Sequence, residues 1–421
     1  RLVSQVRYAV PLSAEPLAPQ LLLERLEQVA QALSFFDFDA AQQAVSSAVA
    51  NVDNPRALYE AGYELIEIGL DQFAVAPLAQ ALVLHPSLDI LWELCTALAR
   101  SWCFREAADL LASHPEVLEG SSLFSALYAH YAAMTGDFEA VAAILPRLES
   151  DEQSAPLVAA AYHRYGRYET LAEVGHPIEN DLRDWELVLH GMVVLHVSTD
   201  GAEVMNGRYG ALWESSETYG SILAVLVALL TSQGKEIKAV AYTPERDSEI
   251  LAKTLTSHLG LPAPKSITDS APTAGTLVVA YRWPGSAPEA LATWCDAPDV
   301  VLYGHVLDWI HDYEFAPDVA GYEAQFVWSP WDEQLRLKPG ADGVADGANE
   351  VEDIPPDSRP AGDIAADLAA KINLDDATRS ELADIQFLLD ALQQSDANYG
   401  LLTGEHQQFH AGGPVSSNRF P

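Results

Sequence analysis

The sequence predicts a multidomain chain: an all-α array of stacked helix pairs, then an α/β domain with a mainly parallel sheet, then a short helical C-terminal extension. Three observations predict it. The chain has 421 residues, too long for one ordinary hydrophobic core, and 49% of them are hydrophobic, as in a folded protein. Residues 55–88 repeat apolar and small residues at helical spacing and close on a proline. After His176-Pro177 that period gives way to short apolar runs alternating with helical segments, the pattern of strands covered on both faces.

Taken in order, Pro19 to Leu33 and Asp39 to Ala50 read as a first helix pair around Phe36-Asp37-Phe38. Residues 55–88 place a large apolar residue at Leu58, a small pair at Ala61 and Gly62, then Leu65 and a turn glycine at Gly69. The second helix carries Ala74, Leu78 and Ala81, and Pro86 closes the unit. The small residues let two helices approach closely, and the proline stops the second. A shift of about 34 residues carries Leu58 to Trp92, Ala61 and Gly62 to Cys95 and Thr96, Gly69 to Cys103 and Ala74 to Ala108, which predicts a second unit ending near His114-Pro115. A third pair is expected at 121–148 with the turn Thr135-Gly136-Asp137-Phe138, and a fourth at 154–175 with the turn Tyr165-Gly166-Arg167-Tyr168.

These residues resemble the tetratricopeptide-repeat family over about residues 18–176, most specifically at 55–88. The resemblance implies a right-handed superhelix whose concave face binds a protein or peptide partner. It does not carry over a basic clamp for a C-terminal carboxylate, because 55–88 contains only Arg56.

Downstream, Val193 to Ser198 reads as a strand, Glu217 to Gln233 as a buried helix, Ile237 to Tyr242 as a strand and Ser248 to Leu259 as a helix. Thr276 to Tyr281 and Val300 to Tyr303 are strands flanking a helix at Pro288 to Cys295, and Ala324 to Trp328 and Gln334 to Leu337 read as edge strands. The expected domains are therefore 1–180, helical repeats; 185–338, a Rossmann-like α/β domain; 339–361, an acidic Gly/Asp/Pro linker; and 362–421, a helical extension with a polar tail, its second helix starting at Asp375-Asp376.

The formal net charge is −38, from 61 acidic and 23 basic residues, and the first 234 residues contain no lysine. Nucleic-acid binding is excluded because phosphate contacts need clustered Lys and Arg, and an anionic membrane surface would repel the chain. The acidity suits a basic partner, salt adaptation or a compositional bias of the genome. The longest apolar run, Ile222 to Leu230, is far below the roughly 20 residues that span a bilayer, so no membrane insertion is expected. Cys95, Cys103 and Cys295 have no C-x-x-C spacing and read as reduced thiols, which predicts a cytoplasmic location.

Two segments carry candidate chemistry. In an open parallel sheet, ligands bind beyond the carboxyl ends of the strands. Thr243, Glu245, Arg246, Asp247 and Ser248 fall at one such end and form a candidate ligand-binding set, with hydroxyls and a helix N-terminus for an anion. The alternative is a helix cap formed by Asp247 or Ser248. His305, Asp308 and Asp312 follow the strand VVLY; on a helix they would share one face at i, i+3 and i+7, a candidate metal or acid–base catalytic set that lacks the H-E-x-x-H spacing of zinc hydrolases, against the alternative of a polar helix face beside Trp309. The segment KAVAYTPERDSEILAKTLTSHLGLPAP is similar to a phosphoribosyltransferase strand–loop–helix, but Arg282-Trp283-Pro284-Gly285-Ser286 stands where that family has its acidic pair and Thr-Gly loop. Helical repeats joined to an α/β part also resemble repeat-bearing glycosyltransferases, which need two lobes. No P-loop, G-x-G-x-x-G or G-x-S-x-G is present, so the sequence leaves the cofactor open and assigns no metal site. The Asp-Gly repeats at 342–347 lack EF-hand spacing and read as solvated linker. The first expectation is an interaction scaffold with a non-catalytic α/β platform; the alternative is a transferase of a nucleotide- or phosphate-bearing substrate.

Overall fold

The computed structural model describes residues 14–195, 205, 207–284, 289–295, 297–337, 351–395, 406, 408–411, 415 and 418–419. The expected strand end at 196–198, Gly285-Ser286 and the Asp-Gly repeats at 342–347 lie outside them. The chain divides into two compact units, Arg1–Tyr162 and His163–Pro421.

The first unit is helical. Its helices are α1 (Pro19–Leu33), α2 (Asp39–Ala50), α3 (Pro55–Glu67), α4 (Asp71–Leu84), α5 (Leu88–Arg100), α6 (Phe104–Ala112), α7 (Pro115–Gly120), α8 (Ser122–Met134) and α9 (Phe138–Ile144). Local chemistry sets the starts. Asn54 accepts from the amides of Arg56 and Ala57 with Pro55 behind it, and Ser87, Ser121 and Asp137 cap α5, α8 and α9 in the same way. The α3–α4 pair closes because a Cβ on Gly62 would lie 2.4 Å from Leu78 Cγ, so only glycine admits this approach.

The repeat register differs from the sequence expectation by one residue. Gly69, Trp102 and Gly136 all have positive φ, of 72°, 60° and 77°. Each is followed by an amide bonding back into the helix: Leu70 to Leu65 O, Cys103 to Leu98 O, Asp137 to Ala132 O. The turns thus recur at 69, 102 and 136. Leu58 corresponds to Leu91, 1% exposed, and not to Trp92, which is 39% exposed.

The fourth predicted pair is absent. Residues 155–173 form one continuous helix, α10 (Ala155–Glu173), straight through Tyr165-Gly166-Arg167-Tyr168. The reason lies in the side chains on either side of Gly166. In the second unit Arg164 and Arg167 are buried and donate through Nε to Leu189 O and Val188 O, the last carbonyls of α11 (Leu182–His190), which fixes this stretch as helix.

The second unit is built on a parallel sheet. Its strands are β1 (Val193–Val194), β2 (Arg208–Trp213), β3 (Ala239–Tyr242), β4 (Lys265–Ser266), β5 (Thr276–Arg282), β6 (Val300–Leu307), β7 (Val319–Trp328) and β10 (Asn418–Arg419). Seven run in the order β10-β2-β7-β6-β5-β3-β4, with β1 beside β7 and every pairing parallel. β8 (Gln334–Leu337) and β9 (Val351–Ile354) form a separate antiparallel pair.

Three expectations change here. β7 begins at Val319 and is central, between β2 and β6, and is no edge strand. β6 runs to Leu307, and β2 and β4 were not expected. After α14 (Glu289–Cys295), the C-terminal helices α15 (Ala361–Ala369) and α16 (Asp376–Gln394) pack on α13 (Arg246–Leu259) and α12 (Ser216–Ser232). A Cβ on Gly220 of α12 would lie 2.4 Å from Lys371 O, so this approach also requires glycine.

Candidate functional site

The carboxyl ends of β3, β5, β6 and β7 bring both sequence-predicted sets close together. On the first side, Thr243 leaves β3 and bonds Ser248 through their hydroxyls at 2.8 Å. The Ser248 hydroxyl also accepts from Tyr281 N at 2.8 Å and reaches Glu245 at 3.3 Å. Arg246 donates to the carbonyls of Asp357 and Arg359. Asp247 accepts from Trp331 Nε1 at 2.8 Å, and burial raises its carboxyl above the ordinary range. The helix begins at Arg246, and Thr243 and Ser248 are buried.

On the second side, His305, Asp308 and Asp312 do not share a helix face, because β6 extends through Leu307 and carries His305 inside the sheet. The imidazole is fully buried, 4.3 Å from the Tyr219 ring and 5.3–6.0 Å from those of Tyr322, Tyr303 and Tyr281. Nδ1 meets the Tyr303 hydroxyl at 2.5 Å; Nε2 has no partner among the described residues. Burial pulls His305 down to about 3, so it stays neutral. Gly321 makes the space: a Cβ there would lie 2.9 Å from the Tyr303 hydroxyl.

Asp308 directly follows the strand, with Arg282 at 3.5 Å and His311 at 3.7 Å. Asp312 faces away to His410, at 3.1 Å. Over the cluster lies Trp331, buried, its ring 5.5 Å from Tyr219 and 6.3 Å from Tyr281. The arrangement is packed and hydrogen-bonded within itself.

Two cavities lie elsewhere in this unit. One of about 1100 Å³ runs between α11, β1 and α16; in it Arg183 pairs with Asp181 and Glu381 and His176 with Asp184. Another, of about 370 Å³, is lined by Leu230, Gly234, Ile237 and Leu277 at the opposite end of the sheet. Among the described residues no group of His, Cys, Asp or Glu could hold a metal ion, and no helix is long and apolar enough to cross a membrane.

Sequence reasoning missed a buried ionic cluster. Arg208 opens β2 and donates to Glu323 of β7 at 2.5 Å and to Glu186 of α11 at 3.1 Å; Glu186 also meets His190 Nδ1 at 2.7 Å. The available signals were a glutamate inside the apolar run VAGYEAQFVW and the Glu186/His190 spacing of i, i+4.

In the first unit, α3 and α5 present an aromatic and acidic face that is exposed among the described residues. Tyr59 and Tyr63 stack at 6.3 Å, Tyr63 is 39% exposed, and Trp92 sits edge-on to Phe124. Burial, then Glu93 and Asp89, raise the Tyr59 hydroxyl, which places α5's carboxylates beside α3's aromatics. Burial also raises Glu93; Arg100 opposes this, and Glu67 and Asp89 add to it. Comparison with family models, curated proteins and solved structures finds no match.

Proposed function

We propose that this chain is an interaction protein whose helical unit is a tetratricopeptide-type superhelix holding a cationic protein segment, with the α/β unit as a non-catalytic platform. The observation that carries the reading is the α3–α5 face. Exposed Tyr63 and Trp92 stand among Glu67, Asp89 and Glu93, where Arg100 is the cation that acts on Glu93. Between residues 14 and 162 there are 21 acidic and 5 basic residues, so a lysine- or arginine-bearing segment is drawn to this unit. Aromatic faces then hold its cations and aliphatic stems. The transferase alternative needs an open cleft at the sheet's carboxyl edge, where Trp331, Thr243 and Ser248 are packed together.

The test is a fluorescence-anisotropy titration of the full chain with a lysine-rich amphipathic peptide and its glutamate-substituted counterpart. The lysine peptide is expected to bind, more weakly as salt is raised. Trp92→Ala should weaken it at least about tenfold with an unchanged thermal midpoint, because rim-exposed charge alone contributes little. Undiminished binding to Trp92→Ala would reduce the effect to general attraction by an acidic chain and overturn the reading.

A further inference from the structure

The parallel sheet changes its winding direction between β3 and β5. From β3 the chain passes through α13 to β4 on one side, and from β5 it passes through α14 to β6 on the other. Connections that diverge in this way leave a crevice at the strands' carboxyl ends, the place where parallel sheets take ligands. Here an indole fills it. Trp331, from the turn between β7 and β8, is buried with its ring edge-on to Tyr219 and tilted against Tyr281. Its Nε1–H donates to Asp247, in the first turn of α13, at 2.8 Å. That acceptor is unusual for this chain. The buried indoles of Trp185, Trp283, Trp294 and Trp309 donate to backbone carbonyls, those of Glu179, Phe315, Ile267 and Tyr209. A neutral carbonyl is less costly to desolvate than a carboxylate, so packing alone does not select Asp247. Burial, then Asp332 and Glu245, raise its carboxyl, against the Trp331 bond and Arg246. Two further polar atoms border the same rings. His305 Nε2 and Glu214 Oε1, both buried, have no partner among the described residues. The imidazole lies 4.3 Å from the Tyr219 ring, and burial, then Glu214, raise the Tyr322 hydroxyl. The indole has one polar atom, which Asp247 takes, so it serves neither of them.

We propose that the crevice between β3 and β5 is a binding site for a planar heterocycle that carries a ring N–H and no negative charge, and that the Trp331 indole is its tethered stand-in, displaced when the free ring binds. The ligand is flat because Tyr219 and Tyr281 shape the place the indole now fills. It carries an N–H because Asp247 offers an acceptor at the crevice. It is no anion because Glu245, Asp247 and Asp332 stand around the start of α13, while Arg246 is engaged with the carbonyls of Asp357 and Arg359. A ring with a second polar atom at its edge gains a partner in Glu214 or His305 that the indole leaves unserved, which favours the exchange. The tether opposes it. A side chain held beside its own site competes at an effective concentration on the order of millimolar, so a bare ring displaces it only in that range. No covalent bond forms or breaks, and the site is independent of what the helical unit holds.

Fluorine NMR of the full chain labelled with fluorotryptophan tests this, with the Trp331 signal assigned by its loss in Trp331→Phe. Indole at millimolar concentration should shift or broaden the Trp331 signal. N-methylindole has no N–H to give Asp247 and should bind at least about tenfold more weakly. Trp331→Gly removes the tethered ring and should tighten indole binding about tenfold or more, read by calorimetry, with the same preference over N-methylindole. A native Trp331 signal unmoved by indole, or moved equally by N-methylindole, would overturn the proposal. So would indole binding confined to Trp331→Gly, which would make the crevice an ordinary cavity left by a core side chain. Should the glycine variant fail to fold, the native titration with the two indoles decides alone.

Discussion

At His305 a side chain with two polar nitrogens is enclosed by four tyrosine rings and reaches one hydroxyl. Charging it there is costly, and burial holds it at about 3 against its ordinary 6.5. A base whose folded pKa is depressed stabilises the fold above its unfolded pKa, and that stability is lost as pH falls. Across the window from 6.5 down to about 3 the loss is on the order of 4 kcal/mol. His305→Phe, which removes the titrating group, should flatten the acid limb of the α/β unit's stability between about pH 6 and about pH 4, measured by urea unfolding with circular dichroism. An acid limb unchanged in the variant would show that His305 does not set it. The sequence exposes this histidine as a candidate, on a helix face if the segment after VVLY is helical, because VVLY reads as the end of the strand. The continuation Gly304-His305-Val306-Leu307 looks polar enough to leave a sheet only until Tyr219, Tyr281 and Tyr322 are known to surround it, and all three are distant in sequence. Glu186 and Glu323 were illegible for the same reason: their partner, Arg208, lies in a strand that the alternation of apolar runs did not show.

At the level of elements, the α3–α4 contact was legible because its cause is local in kind: a glycine at the crossing and a facing leucine. Gly62→Leu places carbon where Leu78 Cγ already sits and should cost about 1–3 kcal/mol through overpacking. Gly362→Ala, at a position with nothing within 4 Å in the first turn of α15, should be neutral or slightly stabilising. Thermal unfolding of both variants checks the pair, and equal midpoints would contradict the assigned crossing. The neighbouring repeat lies one residue from its expected register because Trp102, not a glycine, takes the left-handed position, so the turn has no glycine to mark it. Gly166 misled in the opposite sense. It carries the glycine–x–aromatic pattern of a turn, yet Arg164 and Arg167 tie its helix to the end of α11. The run Ala324 to Trp328 alone reads as an edge strand; Val319 to Glu323 extend β7 enough to pair β6, β1 and β2.

For the whole molecule, the change of apolar period near residue 177 signals a helical part followed by a parallel-sheet part, whereas the two compact units divide between Tyr162 and His163, inside α10. What periodicity does not hold is which surface is open. Asp247, Asp308 and Ser248 sit where ligands bind in parallel sheets, yet they are engaged with Trp331, Arg282 and Tyr281. The exposed aromatic and acidic face lies instead on helices whose repeat signature implied a partner without naming its chemistry. That chemistry is the central claim, and a hydrogen-exchange footprint of the full chain with the lysine-rich peptide tests it most directly. The account predicts slowed exchange confined to α3 and α5, residues 55–67 and 88–100, which disappears with Trp92→Ala. Slowed exchange confined to residues 163–421, whether around Thr243–Ser248 or along the cavity beside Arg183, would contradict it.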